Sequence, residues 1–404
     1  MKIRVGVFFG GQSVEHEVSI ISALQAIENM DKEKYDVVPV YITKDNRMYT
    51  GDALLDVKAF KNVKEVLSKS KRVLLVNNGK CVDLIHYPAK IFGNNVAASI
   101  DVAFPIVHGT NVEDGTLQGY LKMLNIPYVG CDVTSSVLGM DKYAMKTVLK
   151  DNDIPVLDGY CFNSKEYMQN SEKVIAGIEE KMDYPVIVKP VNLGSSVGIK
   201  IAKDRDGLKE ALENAFMFAI TVIVEKAITN LKEINCAVLG DYEKARASEC
   251  EEPVKKDEIL SFGDKYLSQG GSKGAKSAGG EASGMASLSR KLPAEISDEV
   301  RSEIRDMAVK TFKVLGCSGV SRIDFMMDMD TNKVYVNEIN TIPGSLSFYL
   351  WTPLGVEYKQ LLSEMIELAF KREREQAEVS YTFDTNILDA VSLGGSKGSK
   401  GAKC

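Results

Sequence analysis

Short apolar runs alternate with amphipathic stretches over the first third of the chain, and this alternation restricts the fold more than any other feature of the sequence. Residues 3–9, 37–42 and 101–107 have the composition of buried strands. Residues 13–30 have the spacing of a helix. Strands that alternate with helices are typical of βαβ units. The pattern therefore predicts an α/β N-terminal domain at 1–139 with a mostly parallel sheet.

The rest of the chain divides into two α+β blocks and a tail. We assign a central domain to 140–226 and a C-terminal domain to 227–372. Within the latter, fifteen of the twenty residues at 268–287 are Gly, Ser or Ala, a composition that cannot bury enough apolar surface to order itself. We therefore expect a long loop at 261–292, which is either a functional loop or a flexible insertion without a function. Residues 373–404, which include a Gly/Ser/Lys-rich stretch at 392–403, are expected to form a flexible tail.

The charge balance and the apolar runs exclude several classes of protein. The chain has 50 Lys and Arg residues against 56 Asp and Glu residues, a formal net charge of −6. Nucleic-acid-binding surfaces are basic, so this balance argues against a nucleic acid partner. No apolar run approaches the roughly 18 residues of a membrane span, and the run at 5–9 is too short for a signal peptide. We expect a cytoplasmic protein without a membrane partner.

The cysteines and histidines argue against a disulfide scaffold and a zinc site. Seven cysteines occur without a CxxC pair, which favours free thiols in a reducing compartment. His16 and Glu17 begin an HExxH-like string, but Ile20 stands where its second histidine would be. A zinc site of this type is therefore not predicted.

A predicted β-hairpin near the end of the C-terminal block carries the most informative polar residues. Arg322 and Asp324 are two positions apart on one strand and share a face. The same spacing relates Glu338 and Asn340 on the partner strand. Oxygen ligands of this kind suit Mg²⁺ together with substrate phosphates. A solvated face with an ordinary ion pair is the alternative, but the following Ile-Pro-Gly turn at 342–344 can point backbone N–H groups inward and favours a site.

A second polar string surrounds Lys189, which ends a predicted buried strand. Gly194, Ser195 and Ser196 follow it in a loop of small residues. Small residues let backbone N–H groups approach an anion, and a lysine adds a point charge for phosphate. The sequence contains no intact Walker A string, so it does not support a P-loop NTPase.

Two more polar strings follow buried strands of the N-terminal domain. The first, at 10–19, contains Glu15 and His16, and the second, at 108–119, begins with His108. Ligands of α/β sheets bind at the carboxyl ends of the strands, so we expect both strings at one sheet edge. The alternatives to a ligand-binding role are that Glu15 interacts favourably with the dipole at the start of a helix and that His16 is a packing residue.

Together these strings resemble the D-alanine–D-alanine ligase family of the ATP-grasp superfamily, especially the branch that includes some vancomycin-resistance ligases. The resemblance runs from about residue 2 to residue 371 in the family's order and spacing. It implies an ATP-grasp fold preceded by an N-terminal α/β domain. The strings that carry it are GGQSVEHEVS, HGTNVEDGTLQG, GMDK, VIVKPVNLGSSVG, DKYLS, GCSGVSRIDF and NEINTIPG.

The resemblance also implies a reaction and a role for each site residue. ATP would phosphorylate the carboxylate of one D-alanine, and the amine of a second D-amino acid would attack the acyl phosphate, with release of ADP, in peptidoglycan precursor synthesis. The loop at 261–292 would be a lid. By resemblance, the residues that hold the first substrate and the oxyanion are Glu15, Ser195, Tyr266, Arg322 and Gly344. Those that contact ATP are Lys142, Lys189, Glu225, Glu233 and Lys265, and those that hold two Mg²⁺ or Mn²⁺ ions are Asp324, Glu338 and Asn340.

The second substrate is where the sequence departs from the family. Tyr349 stands where the family has a small hydroxyl that contacts the second carboxylate, and Phe348 and Trp351 add rings that we expect to narrow this pocket. Tyr266, where lactate-using ligases tend to carry a histidine, disfavours a D-hydroxy acid. We expect D-alanine as the main acceptor, with D-serine as the alternative. A non-catalytic nucleotide-binding regulator is the alternative of another class, and a homodimer is compatible with the resemblance.

Overall fold

A computed structural model describes residues 2–194, 196–254 and 290–382 of the chain. Its strands form three successive sheets, against which the helices pack. The strands are β1 (Ile3–Gly10), β2 (Tyr35–Ile42), β3 (Met48–Thr50), β4 (Lys71–Asn77), β5 (Val82–His86), β6 (Val96–Ile100), β7 (Val102–Pro105), β8 (Gly159–Asn163), β9 (Val186–Pro190), β10 (Lys200–Ala202), β11 (Thr221–Lys226), β12 (Leu231–Gly240), β13 (Ala245–Pro253), β14 (Arg290–Lys291), β15 (Gly319–Asp328) and β16 (Lys333–Asn340). The helices are α1 (His16–Asn29), α2 (Val63–Lys69), α3 (Thr116–Met123), α4 (Val133–Met140), α5 (Lys142–Asp151), α6 (Ser164–Gln169), α7 (Ser171–Glu179), α8 (Arg205–Phe216), α9 (Asp298–Val314) and α10 (Tyr358–Ala377).

The N-terminal sheet has seven strands in the order β6-β5-β4-β3-β2-β1-β7. Within it, β1 pairs in parallel with β2 and β7, whereas the other neighbouring strands are antiparallel. The prediction of a mostly parallel sheet is therefore wrong. Residues 43–47 link β2 to β3, and so short a connection cannot hold the crossover helix that a parallel pair requires.

The carboxyl ends of β1 and β7 lie side by side because these strands are parallel neighbours. The chain leaves β1 at Gly10, which has a φ of +96° and where a Cβ would lie 2.2 Å from the carbonyl oxygen of Ile42. Only glycine tolerates this corner. The next helix begins at His16 and not at 13, because Ser13 Oγ accepts a hydrogen bond from the Glu15 N–H at 3.0 Å and closes a turn.

The predicted hairpin is formed by β15 and β16. Arg322 lies opposite Asn340, and Asp324 lies opposite Glu338, so these four polar side chains share one face. The sheet continues from β15 through β12 to β13. The sequence did not predict β13, whose residues ARASECEEP include glutamates that are depleted in strands.

Helices from one part of the chain close the cores of another. In α5, Met145 and Leu149 pack into the core of the five-stranded sheet. In α10, Leu361 and Ile366 pack into the core of the seven-stranded sheet. Because α10 contacts both β15 and β7, it links the hairpin to the N-terminal sheet.

Some predictions lie outside the described residues or stay untested. Residues 261–289 of the predicted lid and 383–404 of the predicted tail are not described, and the predicted domain boundaries stay predictions. Within the described ranges, no helix is long and apolar enough to cross a membrane.

Candidate active site

A cavity of about 450 Å³ lies between the four-stranded and the five-stranded sheets. Its volume is in the range of small-molecule sites. One part of its wall is apolar, with Ile187, Leu231 and Met326 among its residues. The charged part contains Lys142, Lys189, Glu233, Arg322, Asp324 and Glu338. The structure thus gathers predicted ATP and metal contacts from four strands and one helix around one space.

Lys189 reaches the cavity from β9 and is held by a buried carboxylate behind it. Its Nζ donates to Glu225 Oε2 at 2.8 Å and to Asn337 Oδ1 at 3.0 Å. Glu225 is completely buried and also accepts from Lys146 Nζ. Burial acts to raise the pKa of Glu225, but Lys189 and Lys146 outweigh it and lower the pKa to about 2. Burial lowers the pKa of Lys146 to about 8, against the attraction of Glu225.

Glu225 does not line the cavity that Lys189 and Glu233 line. Its described contacts are with the two lysines, so its position is that of a counterion for Lys189. A direct contact between Glu225 and a nucleotide stays a prediction.

Lys142 begins α5 and stands where the large cavity meets a smaller one. Its Nζ donates to the carbonyl oxygen of Leu193 at 2.7 Å and lies 3.3 Å from Glu338 Oε2. Asp141 caps the helix by accepting from the N–H groups of Tyr143 and Ala144. The cap therefore fixes the start of the helix and directs the ammonium toward the hairpin.

The shared face of the hairpin is tightly hydrogen-bonded. The Arg322 guanidinium donates to Asp324 Oδ1 at 2.6 Å and to Oδ2 at 2.7 Å. Asn340 Nδ2 donates to Asp324 Oδ2 at 3.0 Å. Burial acts to lower the pKa of Arg322, but the carboxylate of Asp324, with smaller effects of Tyr349 and Glu251, raises this pKa well above its ordinary value. Arg322 is therefore a permanent cation at the edge of the cavity.

The donor set of this face fits a hard divalent cation. Asp324 and Glu338 supply carboxylate oxygens and Asn340 supplies an amide oxygen, which are the ligand types of Mg²⁺ and Mn²⁺. The described residues contain no cluster of three or more His, Cys, Asp or Glu side chains that could hold a metal ion. A cation here would need oxygens beyond this set, and substrate phosphates are the usual source for Mg²⁺.

The smaller cavity, of about 70 Å³, adjoins the large one. It brings together Glu15 from the N-terminal edge, Arg322 from the hairpin and Gly344 from the following turn. Gly194 lies beside it, and a Cβ on this glycine would be 3.6 Å from Glu15 Oε2. The structure therefore gathers an acidic group, a guanidinium and a backbone turn around a space large enough for one small polar molecule. The predicted residues Ser195, Lys265 and Tyr266 lie outside the described residues.

Comparisons with known proteins identify the family. The family model of the D-ala D-ala ligase N-terminus matches residues 4–131, and that of the C-terminus matches residues 148–367. The chain belongs to the D-alanine–D-alanine ligase family. It is 40% identical to the D-alanine–D-alanine ligase of Thermosipho melanesiensis over 389 residues, which cover 96% of this chain and 98% of that one.

Solved structures of the family agree with this assignment. The D-alanine–D-alanine ligase of Coxiella burnetii is 31% identical, with a TM-score of 0.76 over 93% of this chain and 96% of that chain. VanG, the D-Ala:D-Ser ligase of Enterococcus faecalis, is 30% identical, with a TM-score of 0.73 over 91% of this chain and 100% of that chain. The Bacillus anthracis ligase complexed with ATP is 25% identical, with a TM-score of 0.63 over 93% and 99% of the chains.

Several polar residues near the two cavities of this D-alanine–D-alanine ligase family member had no role in the sequence prediction. Glu113 and His108 line the smaller cavity. Burial and the nearby charge of Glu15 raise the pKa of Glu113 to about 8, and burial lowers the pKa of His108. Both residues lie in the string HGTNVEDGTLQG, which the sequence marks as part of the site although neither residue was given a role. Glu251 has no comparable signal, because it lies on the unpredicted strand β13.

The rings after Gly344 line neither of the two cavities. That they narrow the pocket of the second substrate stays a prediction. Phe348 stacks on Tyr358 with ring centroids 4.4 Å apart, and Trp351 is completely buried in the core. Tyr349 donates to Glu251 at 3.3 Å and lies under the Arg290 guanidinium, 3.7 Å from its ring centroid. The tight turn that begins at Gly344 directs them into the protein instead.

Proposed function

We propose that this chain is an ATP-dependent, ADP-forming ligase that joins two D-alanines into D-alanyl-D-alanine for peptidoglycan precursors. The observation that carries the proposal is the pair of adjoining cavities, which share Lys142, Arg322 and Glu338. The large cavity has the volume and lysines for a nucleotide, and the small one has room for a small amino acid. Curated ligases of this family support the choice of D-alanine.

The reaction follows from the charges at the junction. Lys142 and Lys189 would neutralise the ATP phosphates, and the carboxylate of the first D-alanine would attack the terminal phosphorus to give an acyl phosphate and ADP. Phosphoryl transfer of this kind depends on positioning and charge neutralisation more than on covalent help. Glu15 would hold the ammonium of this D-alanine as an opposite charge.

The second step would use the same junction. The ammonium of the second D-alanine loses a proton, and the resulting amine attacks the acyl carbon. The tetrahedral adduct then loses a second proton from nitrogen and expels phosphate as the peptide bond forms. Arg322 and the Gly344 N–H would stabilise the developing oxyanion. By resemblance, Ser195 and Tyr266 would complete the set around Glu15, and Lys265 the set around ATP, with residues 261–292 as the lid.

We propose two Mg²⁺ or Mn²⁺ ions as cofactors, held by Asp324, Glu338 and Asn340 together with the phosphates. When bound, they supply positive charge that stabilises the transferring phosphoryl group. Glu225 and Glu233 would flank the adenosine. Because ATP is the co-substrate, we place the enzyme in the cytoplasm, and its assembly as a homodimer stays a prediction.

D-alanine–D-serine ligation is a second candidate, favoured by the similarity to VanG along 91% of this chain. A non-catalytic regulator is disfavoured because the phosphate-binding lysines and the metal-ligand set are retained. Mass spectrometry of products from ATP, Mg²⁺, D-alanine and a panel of D-amino and D-hydroxy acids separates these alternatives. We expect D-alanyl-D-alanine to dominate. Domination by D-alanyl-D-serine would establish the second candidate, and absence of any ADP release would refute the ligase.

A further inference from the structure

The carboxyl group of Glu113 connects the N-terminal domain to the turn that carries Gly344. Its Oε2 accepts from the Gly109 N–H at 2.7 Å within its own loop. Its Oε1 accepts from the Ile342 N–H at 3.0 Å, across 229 positions of sequence. One carboxyl group thus fixes two backbone segments that line the same small cavity.

His108 and Ser22 hold the same turn from the same side. His108 Nδ1 lies 2.8 Å from the carbonyl oxygen of Ile342, and its Nε2 lies 2.9 Å from Ser22 Oγ. The Ser345 N–H donates to Ser22 Oγ at 3.0 Å. These contacts are mutually consistent if Nδ1 carries the proton, because Nε2 then accepts from the Ser22 hydroxyl, whose oxygen accepts from Ser345. Neutral His108 is also the form that its burial favours.

The turn has a conformation that needs such support. Ser345, Leu346 and Ser347 have φ values of 50°, 50° and 48°, which are in the left-handed region that non-glycine residues rarely adopt. Conformations of this kind persist only where the surroundings hold them. Glu113, His108, Ser22 and Gln25 of the N-terminal domain all contact this turn, the last by accepting from the Ser345 hydroxyl at 2.8 Å.

We propose that Glu113 is a positioning residue that sets the 342–345 turn, and with it the Gly344 N–H, in the small cavity. Its effect on turnover rests on the proposed function, because the Gly344 N–H is there assigned to the oxyanion. Its effect on the conformation of the turn does not rest on the proposed function. If Glu113 served only to cap its own loop, losing its hydrogen bond to Ile342 would leave the turn unchanged.

Asp114 offers a matched control in the same loop. Its carboxylate also accepts two backbone hydrogen bonds, from the N–H groups of Asn111 at 2.8 Å and of Thr116 at 3.0 Å. One partner, Asn111, lies in its own loop, and the other, Thr116, begins the helix that directly follows. Glu113→Gln and Asp114→Asn therefore change the same kind of interaction, but only Glu113 contacts the turn.

The test combines hydrogen exchange of the ligand-free full chain with steady-state kinetics. In Glu113→Gln the side-chain NH2 faces one of the two backbone N–H groups, which then has no acceptor. We therefore expect amides at 341–346 to exchange about tenfold faster or more. We expect kcat for dipeptide formation to fall about 10²-fold, as for a misplaced catalytic group, with KM for ATP within about twofold of the unchanged value. Asp114→Asn should leave both the exchange and kcat near those of the unmodified protein.

Unchanged exchange at 341–346 in Glu113→Gln, or an equal loss of kcat in both variants, would overturn the proposal. If Glu113→Gln does not fold, as judged by its melting curve, Ser22→Ala takes its place and should raise exchange at the same amides. An unmodified protein that makes no dipeptide would refute the proposed function, while the exchange measurement would still decide the role of Glu113.

Discussion

Replacing Glu225 by glutamine should destabilise the protein strongly, although this residue touches neither cavity. The carboxylate is completely buried and lies between the ammonium groups of Lys146 and Lys189, which are themselves buried. Glutamine keeps the size of the side chain and removes its charge. Two buried ammonium groups would then lose their shared counterion, and α5 would lose its ion pair with β11.

The expected cost follows from the electrostatics of the pair. The pKa of Glu225 falls from 4.5 to about 2, and at about 1.4 kcal/mol per pKa unit this corresponds to about 3 kcal/mol of folding free energy. Removing one partner of a buried ion pair costs about 3–5 kcal/mol in other proteins. We therefore expect the free energy of unfolding of Glu225→Gln to be lower by about 3 kcal/mol at pH 7.

Urea unfolding followed by far-UV circular dichroism measures this loss, with Glu210→Gln as the control. Glu210 pairs with Lys200 at 2.8 Å, but the two side chains are 74% and 42% exposed, so breaking this pair should cost less than about 1 kcal/mol. The pH gives a second readout. Because the folded pKa is depressed, the stabilisation by Glu225 is present above about pH 4.5 and is lost as the pH falls toward 2. The gap between the unmodified protein and Glu225→Gln should close over that range.

Equal destabilisation by Glu225→Gln and Glu210→Gln would refute this reasoning. It would mean that water or a rearranged amide replaces the counterion at no cost. A gap between the unmodified protein and Glu225→Gln that stayed constant from pH 7 to pH 3 would equally show that the charge of Glu225 is not its source.

Two further predictions concern the hairpin face. Arg322→Ala should lower kcat about 10²–10³-fold, as loss of one preorganised oxyanion donor does. A calorimetric titration should show a much smaller change in ATP affinity. Equal losses of kcat and of ATP affinity would assign Arg322 to ATP binding. Asn340→Ala should abolish turnover and shift the Mg²⁺ binding titration to higher concentration without lowering the melting temperature, whereas the control Asn230→Ala, which removes a surface amide bonded to Asp330 at 2.7 Å, should change neither turnover nor Mg²⁺ binding. Chelation of divalent cations should stop turnover of the unmodified protein and of Asn230→Ala, and activity retained in EDTA would exclude the metal role.

The sequence was sufficient to predict the elements that depend on residues close together in the chain. Period-two spacing placed Arg322 and Asp324 on one face, and the register of β15 and β16 agrees, because alternation along a strand is a property of the backbone. Strand–helix alternation predicted the α/β start of the chain. The ordered polar strings carried the resemblance to the D-alanine–D-alanine ligase family, which the family models and curated relatives confirm.

Tertiary structure decided the roles that depend on contacts between distant residues. The short 43–47 link made the β2–β3 pair antiparallel, although the helical and apolar periodicities gave no sign of it. Glu225 became a buried counterion only because α5 brings Lys146 beside it, 79 positions away. His108 and Glu113 meet the Ile342 backbone across 234 and 229 positions. Such contacts arise from the packing of whole domains, and side-chain spacing along the sequence carries no information about them.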